Sequence, residues 1–185
     1  MDRIYSENCI KFICYKVLSG LKFLHERNVI HRDIKSDNVL FNCQGEVVIA
    51  DFGAAVKLTK EVSKRARKVG SLQWMAPEII RGDRKYTEKM DIWSFGILAY
   101  ELAEIDLPLE TQEVVNWNTL TNDLPEINEL WSQEFRDFVK KCLNRNSSER
   151  PTTDELLDDP FLKDAQSHKA EFATTVTRYI EENGR

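Results

Sequence analysis

The 185-residue chain lacks the features that mark several large protein classes. No apolar run approaches the length of a membrane-spanning helix, and the N-terminus does not have the basic, apolar and small-residue layout of a signal peptide. Acidic residues outnumber basic ones by 31 to 26, and the net charge of −5 argues against a nucleic-acid-binding surface. These absences predict one domain in the cytoplasm, with no membrane span and no nucleic-acid partner.

Cysteine and histidine are too few and too scattered to form a metal site or a disulfide framework. The chain has four cysteines and three histidines, with no CxxC pair and no metal-ligand spacing between the two residue types. The cysteines are therefore predicted to be buried free thiols in a reducing compartment. They are Cys9, Cys14, Cys43 and Cys142.

Hydrophobic periodicity predicts a mainly α-helical chain. Residues 6–27 repeat apolar side chains at three- and four-residue steps behind Ser6, a residue type that suits an N-cap. Residues 87–104 are apolar nearly all round, as expected for a helix at the centre of a core. The basic, polar stretch 57–69 has no periodicity and is predicted to be a surface loop. Shorter helices are predicted at 112–119, 132–143 and 153–157, and a terminal helix within 165–185.

Two short β-type runs, residues 39–41 and 47–50, surround a polar segment that contains a glycine. This pattern predicts a β-hairpin whose turn is centred on Gln44 and Gly45. Such a hairpin fixes the relative positions of the side chains that come directly before and after it.

Three short motifs occur in order along the chain. Residues 31–38 read HRDIKSDN, residues 51–53 read DFG and residues 76–78 read APE. The first two place acidic groups, a lysine and a metal-binding amide on two neighbouring loops, and phosphoryl transfer requires these groups. One such motif alone is weak evidence, but all three in this order rarely occur by chance. The chain resembles a eukaryotic protein kinase, and the resemblance begins partway through the family's pattern.

The resemblance implies a catalytic and ligand-binding role for four residues. Asp33 is implied to be the catalytic base, which orients the substrate hydroxyl and accepts its proton. Lys35 is implied to lie beside the γ-phosphate of ATP, and lysine at this position is typical of serine/threonine kinases rather than tyrosine kinases. Asn38 and Asp51 are implied to bind Mg²⁺ and, with Lys35, ATP. The structural alternatives are a surface aspartate for Asp33, a turn cap for Asn38 and a strand end for Asp51.

The resemblance also implies supporting roles around these residues. Asp91, early in the second long helix, is implied to accept hydrogen bonds from the backbone near His31. Glu78 and Arg150 are implied to form an ion pair that anchors the end of the activation segment, residues 51–78. The supporting residues are His31, Arg32, Phe52, Gly53, Glu78, Asp91 and Arg150.

Within the kinase family, the chain is most similar to the STE group and its PAK-like branch. The segments that carry this similarity are 69–78, VGSLQWMAPE, together with NCQG at 42–45 and SKR at 63–65. The resemblance implies that Ser71 fills the family's position facing the substrate pocket. Its hydroxyl is expected to hydrogen-bond toward Asp33 and Lys35.

Arg67 departs from the family's pattern. Members usually carry a phosphorylatable threonine four residues before the Ser71 position, and its phosphate pairs with the arginine before the catalytic base, here Arg32. Arg67 places a like charge near Arg32, so we expect that phosphorylation at the usual site does not switch this loop. The alternative is that Arg67 simply belongs to a solvated basic loop.

The 30 residues before His31 contain no glycine-rich phosphate loop, no strand lysine for the ATP phosphates and no glutamate partner for that lysine. The predicted fold class is therefore mainly α: a protein-kinase-like C-lobe with a small β-hairpin by the catalytic loop, and with the N-lobe absent. Residues 1–162 are predicted to be this kinase domain, with the catalytic loop at 31–38 and the activation segment at 51–78. Residues 163–185 are predicted to be a C-terminal tail helix.

Two functional hypotheses follow. In the first, the chain belongs to an active serine/threonine kinase with ATP and Mg²⁺ as cofactors and with Ser- or Thr-containing proteins as partners. In the second, it is a catalytically inactive, truncated module that binds partners. Because the phosphate loop and its lysine are missing, the chain alone is expected to have negligible kinase activity. Any regulation by a small GTPase would act through regions outside these residues.

Overall fold

A computed structural model describes residues 4–59, 69–83, 87–104 and 126–184. Its helices are α1 (Glu7–His25), α2 (Pro77–Arg81), α3 (Lys89–Glu104), α4 (Gln133–Cys142), α5 (Thr153–Leu157) and α6 (Lys169–Asn183). Its strands are β1 (Val29–Ile30), β2 (Val39–Phe41), β3 (Val47–Ile49) and β4 (Val56–Lys57). The helices predicted at 132–143, at 153–157 and within 165–185 are confirmed by α4, α5 and α6.

Helix α1 combines an N-cap with a continuous apolar face. Ser6 Oγ accepts a hydrogen bond from the Cys9 N–H at 3.2 Å, which satisfies one of the free donors at the helix start. The helix predicted at 6–27 is confirmed, because its apolar spacing is the spacing of the buried face. The buried residues of α1 are Cys9, Ile10, Phe12, Ile13, Cys14, Val17, Leu18 and Leu21.

Helix α3 is buried on nearly every side, as predicted for residues 87–104. Gly96 permits a close crossing with α4, because a Cβ atom at this position would lie 2.8 Å from the Cβ of Cys142. Nearby, the Phe95 ring meets the Phe138 ring of α4 edge-on, with 5.9 Å between the centroids. The close packing gives α3 a fixed position in the core, from which several of its polar side chains reach the candidate site.

Strands β2 and β3 form the predicted antiparallel hairpin, in which Val39 pairs with Ile49 and Phe41 pairs with Val47. Gly45 in the turn has a φ of +71°, a left-handed conformation that glycine adopts without a steric cost. The predicted hairpin is confirmed, but its turn is centred on Cys43 and Gln44 rather than on Gln44 and Gly45, because the Gly45 N–H donates to Asn42 O at 2.9 Å.

The described residues contain a second two-stranded sheet that was not predicted from the sequence. Strand β1 pairs antiparallel with β4, so that Val29 is opposite Lys57 and Ile30 is opposite Val56. Two-residue strands are too short to show the alternation that marks a strand in a sequence. This sheet ties the start of the catalytic loop to the first part of the activation segment.

The predicted fold class is wrong where it describes a C-lobe whose N-lobe is absent. The N-terminal part of the chain contains a helix and small strands, α1 with β1, β2 and β3. The lobe assignment was based on the missing glycine-rich loop and strand lysine. The absence of these motifs does not by itself say to which lobe the helix and strands of the N-terminal part belong. The mainly helical content and the hairpin by the catalytic loop are as predicted.

The prediction of buried thiols holds for three of the four cysteines. Cys9, Cys14 and Cys142 are buried, whereas Cys43 is exposed in the hairpin turn. Burial raises the pKa of the Cys14 thiol far above its usual range, so this thiol stays protonated. Cys43 is the exception because its side chain is exposed at the surface of the hairpin turn.

Some predictions concern residues outside the described ranges. These are the helix at 112–119, most of the loop at 57–69, and Arg67 within it. Within the described ranges, no helix is both long enough and apolar enough to cross a lipid bilayer.

Candidate active site

A buried carboxylate holds the backbone of the catalytic loop. Asp91, at the start of α3, is fully buried and accepts hydrogen bonds from the N–H groups of His31 at 2.9 Å and Arg32 at 2.8 Å. Its Oδ2 also lies 2.9 Å from His25 Nε2. Arg32 has a φ of +70°, which is uncommon for a residue other than glycine, and the bonds to Asp91 stabilise this conformation. The two backbone contacts are those that the resemblance to kinases implies, whereas the contact with His25 was not expected.

His31 links the catalytic loop to the strand end before Asp51. Its Nε2 lies 3.0 Å from Ala50 O, and Nε2 must donate because a carbonyl oxygen only accepts. The N–H of Asp33 points to the other ring nitrogen, Nδ1, at 3.4 Å. The ring also meets Phe52 edge-on, with 5.1 Å between the centroids. His31 therefore connects the two loops that carry the motifs.

Three residues converge on the carboxylate of Asp33. The Ser71 N–H donates to Oδ1 at 2.7 Å, and Asn38 Nδ2 donates to Oδ2 at 3.1 Å. Lys35 Nζ lies 3.5 Å from Oδ2 and donates to Ser71 Oγ at 2.7 Å. The structure thus brings Asp33, Lys35, Asn38 and Ser71 together, although they come from two separate segments. The side chain of Asp33 is 14% exposed, so solvent can reach it.

The surroundings of Asp33 favour its ionised form. Burial, the largest single influence, raises its pKa, but hydrogen bonds from Ser71 and the charge of Lys35 together hold the pKa of Asp33 below its usual range. Because the folded-state pKa is lowered, Asp33 contributes stability that is present above the unfolded-state pKa. This contribution is lost as the pH falls through the folded-state pKa.

Replacing Lys35 by methionine is expected to raise the pKa of Asp33, since methionine has a similar length but no charge. An NMR titration of the Asp33 carboxyl carbon measures the change directly. Lys141→Met is the matched control, because Lys141 Nζ pairs with Asp159 at 2.7 Å. An Asp33 titration that is the same in Lys35→Met and in the parent chain would contradict this electrostatic account.

Asn38 and Asp51 lie at the same end of the hairpin. The Ala50 N–H donates to Asn38 O at 2.8 Å, which joins the residue before β2 to the residue before Asp51. Asn38 Nδ2 also donates to Asp33 O at 2.8 Å. The amide nitrogen of Asn38 is thus engaged, and its amide oxygen is the side-chain atom that can accept or bind a cation. Asp51 has a left-handed φ of +58°, and its Oδ1 accepts from the Gly53 N–H at 3.0 Å.

The donor set of this pair fits Mg²⁺. An amide oxygen and a carboxylate are hard oxygen donors, and Mg²⁺ commonly takes one or two protein ligands and completes its shell with water and phosphate oxygens. Across the described ranges, no group of three or more His, Cys, Asp or Glu side chains could hold a metal ion. A site made mainly of protein ligands is therefore not found there, whereas a two-ligand Mg²⁺ site is compatible with Asn38 and Asp51.

The later part of the activation segment lies directly on the catalytic loop. Gly70 has a φ of +109°, and a Cβ atom there would overlap the carbonyl oxygen of Arg32. Glycine is therefore required by both backbone conformation and space. The close approach brings the next residue, Ser71, to Asp33 and Lys35.

The side chain of Arg32 reaches the first part of the activation segment. Its Nε donates to Ala54 O at 2.6 Å. Arg67, which was expected to place a like charge near Arg32, lies outside the described ranges. The proximity of Arg67 to Arg32 therefore stays a prediction.

A buried ion pair anchors the end of the activation segment. Arg150 Nη1 and Nη2 donate to Glu78 Oε1 and Oε2 at 2.7 and 2.6 Å, which is bidentate geometry. Arg150 also donates to the carbonyls of Asn144 at 2.7 Å and Lys89 at 2.9 Å. Its guanidinium carbon lies 5.2 Å from the centroid of the Trp93 ring. The pair is thus removed from water but well provided with hydrogen bonds.

Glu101 contacts both loops and was missed by sequence reasoning. From α3, its carboxylate accepts hydrogen bonds from Ser36 Oγ at 2.5 Å and from Trp74 Nε1 at 3.2 Å. It therefore connects the catalytic loop with the end of the activation segment. Burial, only partly opposed by these hydrogen bonds, raises the pKa of Glu101. The available signal was a carboxylate within an otherwise apolar helix, because such a group requires polar partners.

Comparison with known proteins supports the kinase resemblance. The family model for the protein kinase domain matches residues 1–162. The chain is 46% identical over 160 residues to serine/threonine-protein kinase pakB of Dictyostelium discoideum, covering 84% of the chain and 19% of pakB. It is 45% identical to pakA of the same organism, covering 88% of the chain and 14% of pakA. For shk1/pak1 of Schizosaccharomyces pombe the identity is 41%, over 86% of the chain and 25% of that kinase.

These comparisons bear on the lobe assignment and on the family. The kinase-domain match begins at residue 1, which contradicts the description of the chain as a C-lobe with its N-lobe absent. The chain spans about a quarter or less of the length of these three relatives. Their names confirm the predicted PAK-like, serine/threonine character. The chain belongs to the protein kinase family and, within it, to the PAK-like serine/threonine kinases.

Proposed function

We propose that the chain carries the phosphoryl-transfer residues of a serine/threonine protein kinase, which moves the γ-phosphate of ATP to Ser or Thr hydroxyls of proteins. The observation that supports this most is the convergence of Lys35, Asn38 and Ser71 on Asp33. A carboxylate held by fixed donors is suited to orient a hydroxyl group, and orientation supplies much of phosphoryl-transfer catalysis.

In this proposal Asp33 is the catalytic base. Its pKa lies below the usual range, so the carboxylate is ionised at neutral pH and can accept a hydrogen bond from the substrate hydroxyl. It orients that hydroxyl and takes its proton as the phosphate ester forms. Lys35 provides a positive charge beside the transferring phosphate, and Ser71 lies at the pocket for the substrate.

Asn38 and Asp51 are the residues that would hold Mg²⁺. When bound, the ion neutralises charge on the ATP phosphates. The chain's own contribution is to keep two oxygen donors at one end of the hairpin, through the bond between Ala50 and Asn38 and the bond between Gly53 and Asp51. Lys35 is proposed to share in ATP binding.

A partner-binding module without turnover is the second candidate function. The 185 residues contain no glycine-rich phosphate loop, and the only glycine before His31 is Gly20, inside α1. Phosphate positioning by such a loop and its lysine is a large part of kinase catalysis. We therefore expect negligible turnover from the 185-residue chain alone, whichever candidate is correct.

Other assignments are proposals that depend on the family resemblance. Residues 1–162 are proposed as the kinase domain and residues 163–185 as its C-terminal tail. A cytoplasmic location, protein substrates and control by a small GTPase through regions outside these residues are proposals of the same kind. The expectation that Arg67 prevents switching by phosphorylation stays a prediction.

A chimaera with pakB tests the proposed function. In it, this chain's residues replace the matching segment of pakB, which aligns over 160 positions. We expect the chimaera to phosphorylate Ser and Thr, and not Tyr, in a protein substrate containing all three, with pakB as the matched control. A chimaera that unfolds at the same temperature as pakB but transfers no phosphate would favour the binding module and contradict the kinase proposal.

A further inference from the structure

Helix α6 lies outside the family match to residues 1–162, yet it is built into the core. Phe172 is fully buried and Val176 is nearly so. The Phe172 ring lies 5.4 Å from the ring of Phe12 on α1 and 5.5 Å from the ring of Phe41, the last residue of β2. One side chain of α6 therefore contacts both the long core helix and the hairpin.

Helix α6 also contacts the turn of the hairpin. Lys169 Nζ pairs with the carboxylate of Glu46. A Cβ atom at Gly45 would lie 3.2 Å from Lys169 O and 3.4 Å from Ala173 Cβ, so the turn backbone rests on the helix. These contacts hold the end of the hairpin that is farthest from Asn38.

The first turn of α6 is fixed to the N-terminus of α1. Glu171 accepts hydrogen bonds from Ser6 Oγ at 2.5 Å and from Asn8 Nδ2 at 3.1 Å. Ser6 is also the N-cap of α1. Helix α6 thus connects the N-terminus of the core helix to the turn of the hairpin.

The hairpin is too small to hold its own position. It has three residue pairs, and a two-stranded hairpin of this size is marginally stable by itself. Helix α1 supports one strand, where the side chain of Ile49 lies against Gly20. Helix α6 supports the turn and Phe41. The two proposed Mg²⁺ ligands, Asn38 and Asp51, flank the hairpin at its other end.

We propose that α6 is a positioning element for the candidate site. By holding the turn of the hairpin, it fixes the hairpin on α1 and so fixes the relative positions of Asn38 and Asp51. The part of this inference that concerns Mg²⁺ rests on the proposed function, whereas the part that concerns the hairpin does not.

Hydrogen exchange of the full chain tests the positioning of the hairpin. The readout is the exchange rate of the Ala50 N–H, which bonds to Asn38 O, divided by that of the Ile80 N–H, which bonds to Ala76 O in α2, in a different core cluster from Phe135 and Phe172. We expect this ratio to rise about tenfold in Phe172→Leu, through local opening of the hairpin.

The same ratio is expected to rise about twofold in Lys169→Met, because an exposed ion pair contributes little. The matched controls are Phe135→Leu, at another fully buried phenylalanine, and Lys22→Met, which removes an exposed pair with Asp154. Both controls should leave the ratio unchanged, even where they lower the unfolding temperature. An unchanged ratio in both α6 variants would overturn the proposal.

Binding of ATP in the presence of Mg²⁺ is measured on the same variants. Weaker binding in Phe172→Leu than in Phe135→Leu supports the link between α6 and the ligand pair. A raised exchange ratio with unchanged ATP affinity overturns that link. If the exchange ratio rises in the α6 variants but the parent chain binds no ATP in the presence of Mg²⁺, the positioning of the hairpin is supported and the proposed function is contradicted.

Discussion

Replacing Asp33 by asparagine is expected to lower the turnover of the pakB chimaera roughly 10²–10⁴-fold. Asparagine has the same shape as aspartate and can still accept the hydrogen bond from the Ser71 N–H, which lies 2.7 Å from Oδ1. It cannot take up the proton of the substrate hydroxyl. The loss should therefore appear in kcat, together with only a modest fall in the unfolding temperature from the lost contacts of the carboxylate with Lys35 and Asn38.

Asp37→Asn is the matched control for this prediction, because Asp37 is an exposed aspartate in the same loop. We expect it to leave kcat nearly unchanged. If Asp33→Asn retained turnover within about threefold of the parent chimaera, the assignment of Asp33 as the base would be wrong.

The second large effect is expected at the buried ion pair. Replacing Arg150 by methionine should lower the free energy of unfolding by about 3–5 kcal/mol, because Glu78 is left as a buried carboxylate without its partner. The carbonyls of Asn144 and Lys89 also lose a donor. Urea unfolding followed by circular dichroism measures the change.

Two further variants sharpen this prediction. Glu78→Gln combined with Arg150→Met should recover part of the lost stability, since the unpaired charge is then gone. Arg178→Met, at an exposed position on α6, should change the stability by less than about 0.5 kcal/mol. A loss below about 1 kcal/mol in Arg150→Met would show that the pair is not the anchor described here.

The sequence was sufficient where a signal is local. The apolar spacing behind Ser6 predicted α1, and the two β-type runs around Gly45 predicted the hairpin, because each pattern lies within one element. The motif at 31–38 identified Lys35 and Asn38, two of the three residues that meet at Asp33, since its chemistry depends on a fixed order and spacing. The third, Ser71, was identified from the segment 69–78. The serine/threonine branch followed from the same residues.

The sequence was insufficient where partners come from distant segments. The pairing of Ile30 with Val56 involves strands of two residues, which carry no periodic signal. The contacts of Glu101 with Ser36 and Trp74 arise only when α3, the catalytic loop and the activation segment pack together. The lobe assignment failed for a related reason, because it was drawn from absent motifs rather than from packed elements.

Binding of ATP with and without Mg²⁺ is the direct test of Asn38 and Asp51 as Mg²⁺ ligands. For the 185-residue chain, we expect weak binding that requires Mg²⁺ and that weakens about tenfold or more in Asp51→Asn, through loss of a charged ligand. Asp158→Asn, at an exposed aspartate, should bind ATP as the parent chain does. Binding that is equally strong in excess EDTA, or that is unchanged in Asp51→Asn, would contradict the assignment of Asn38 and Asp51 as the Mg²⁺ site.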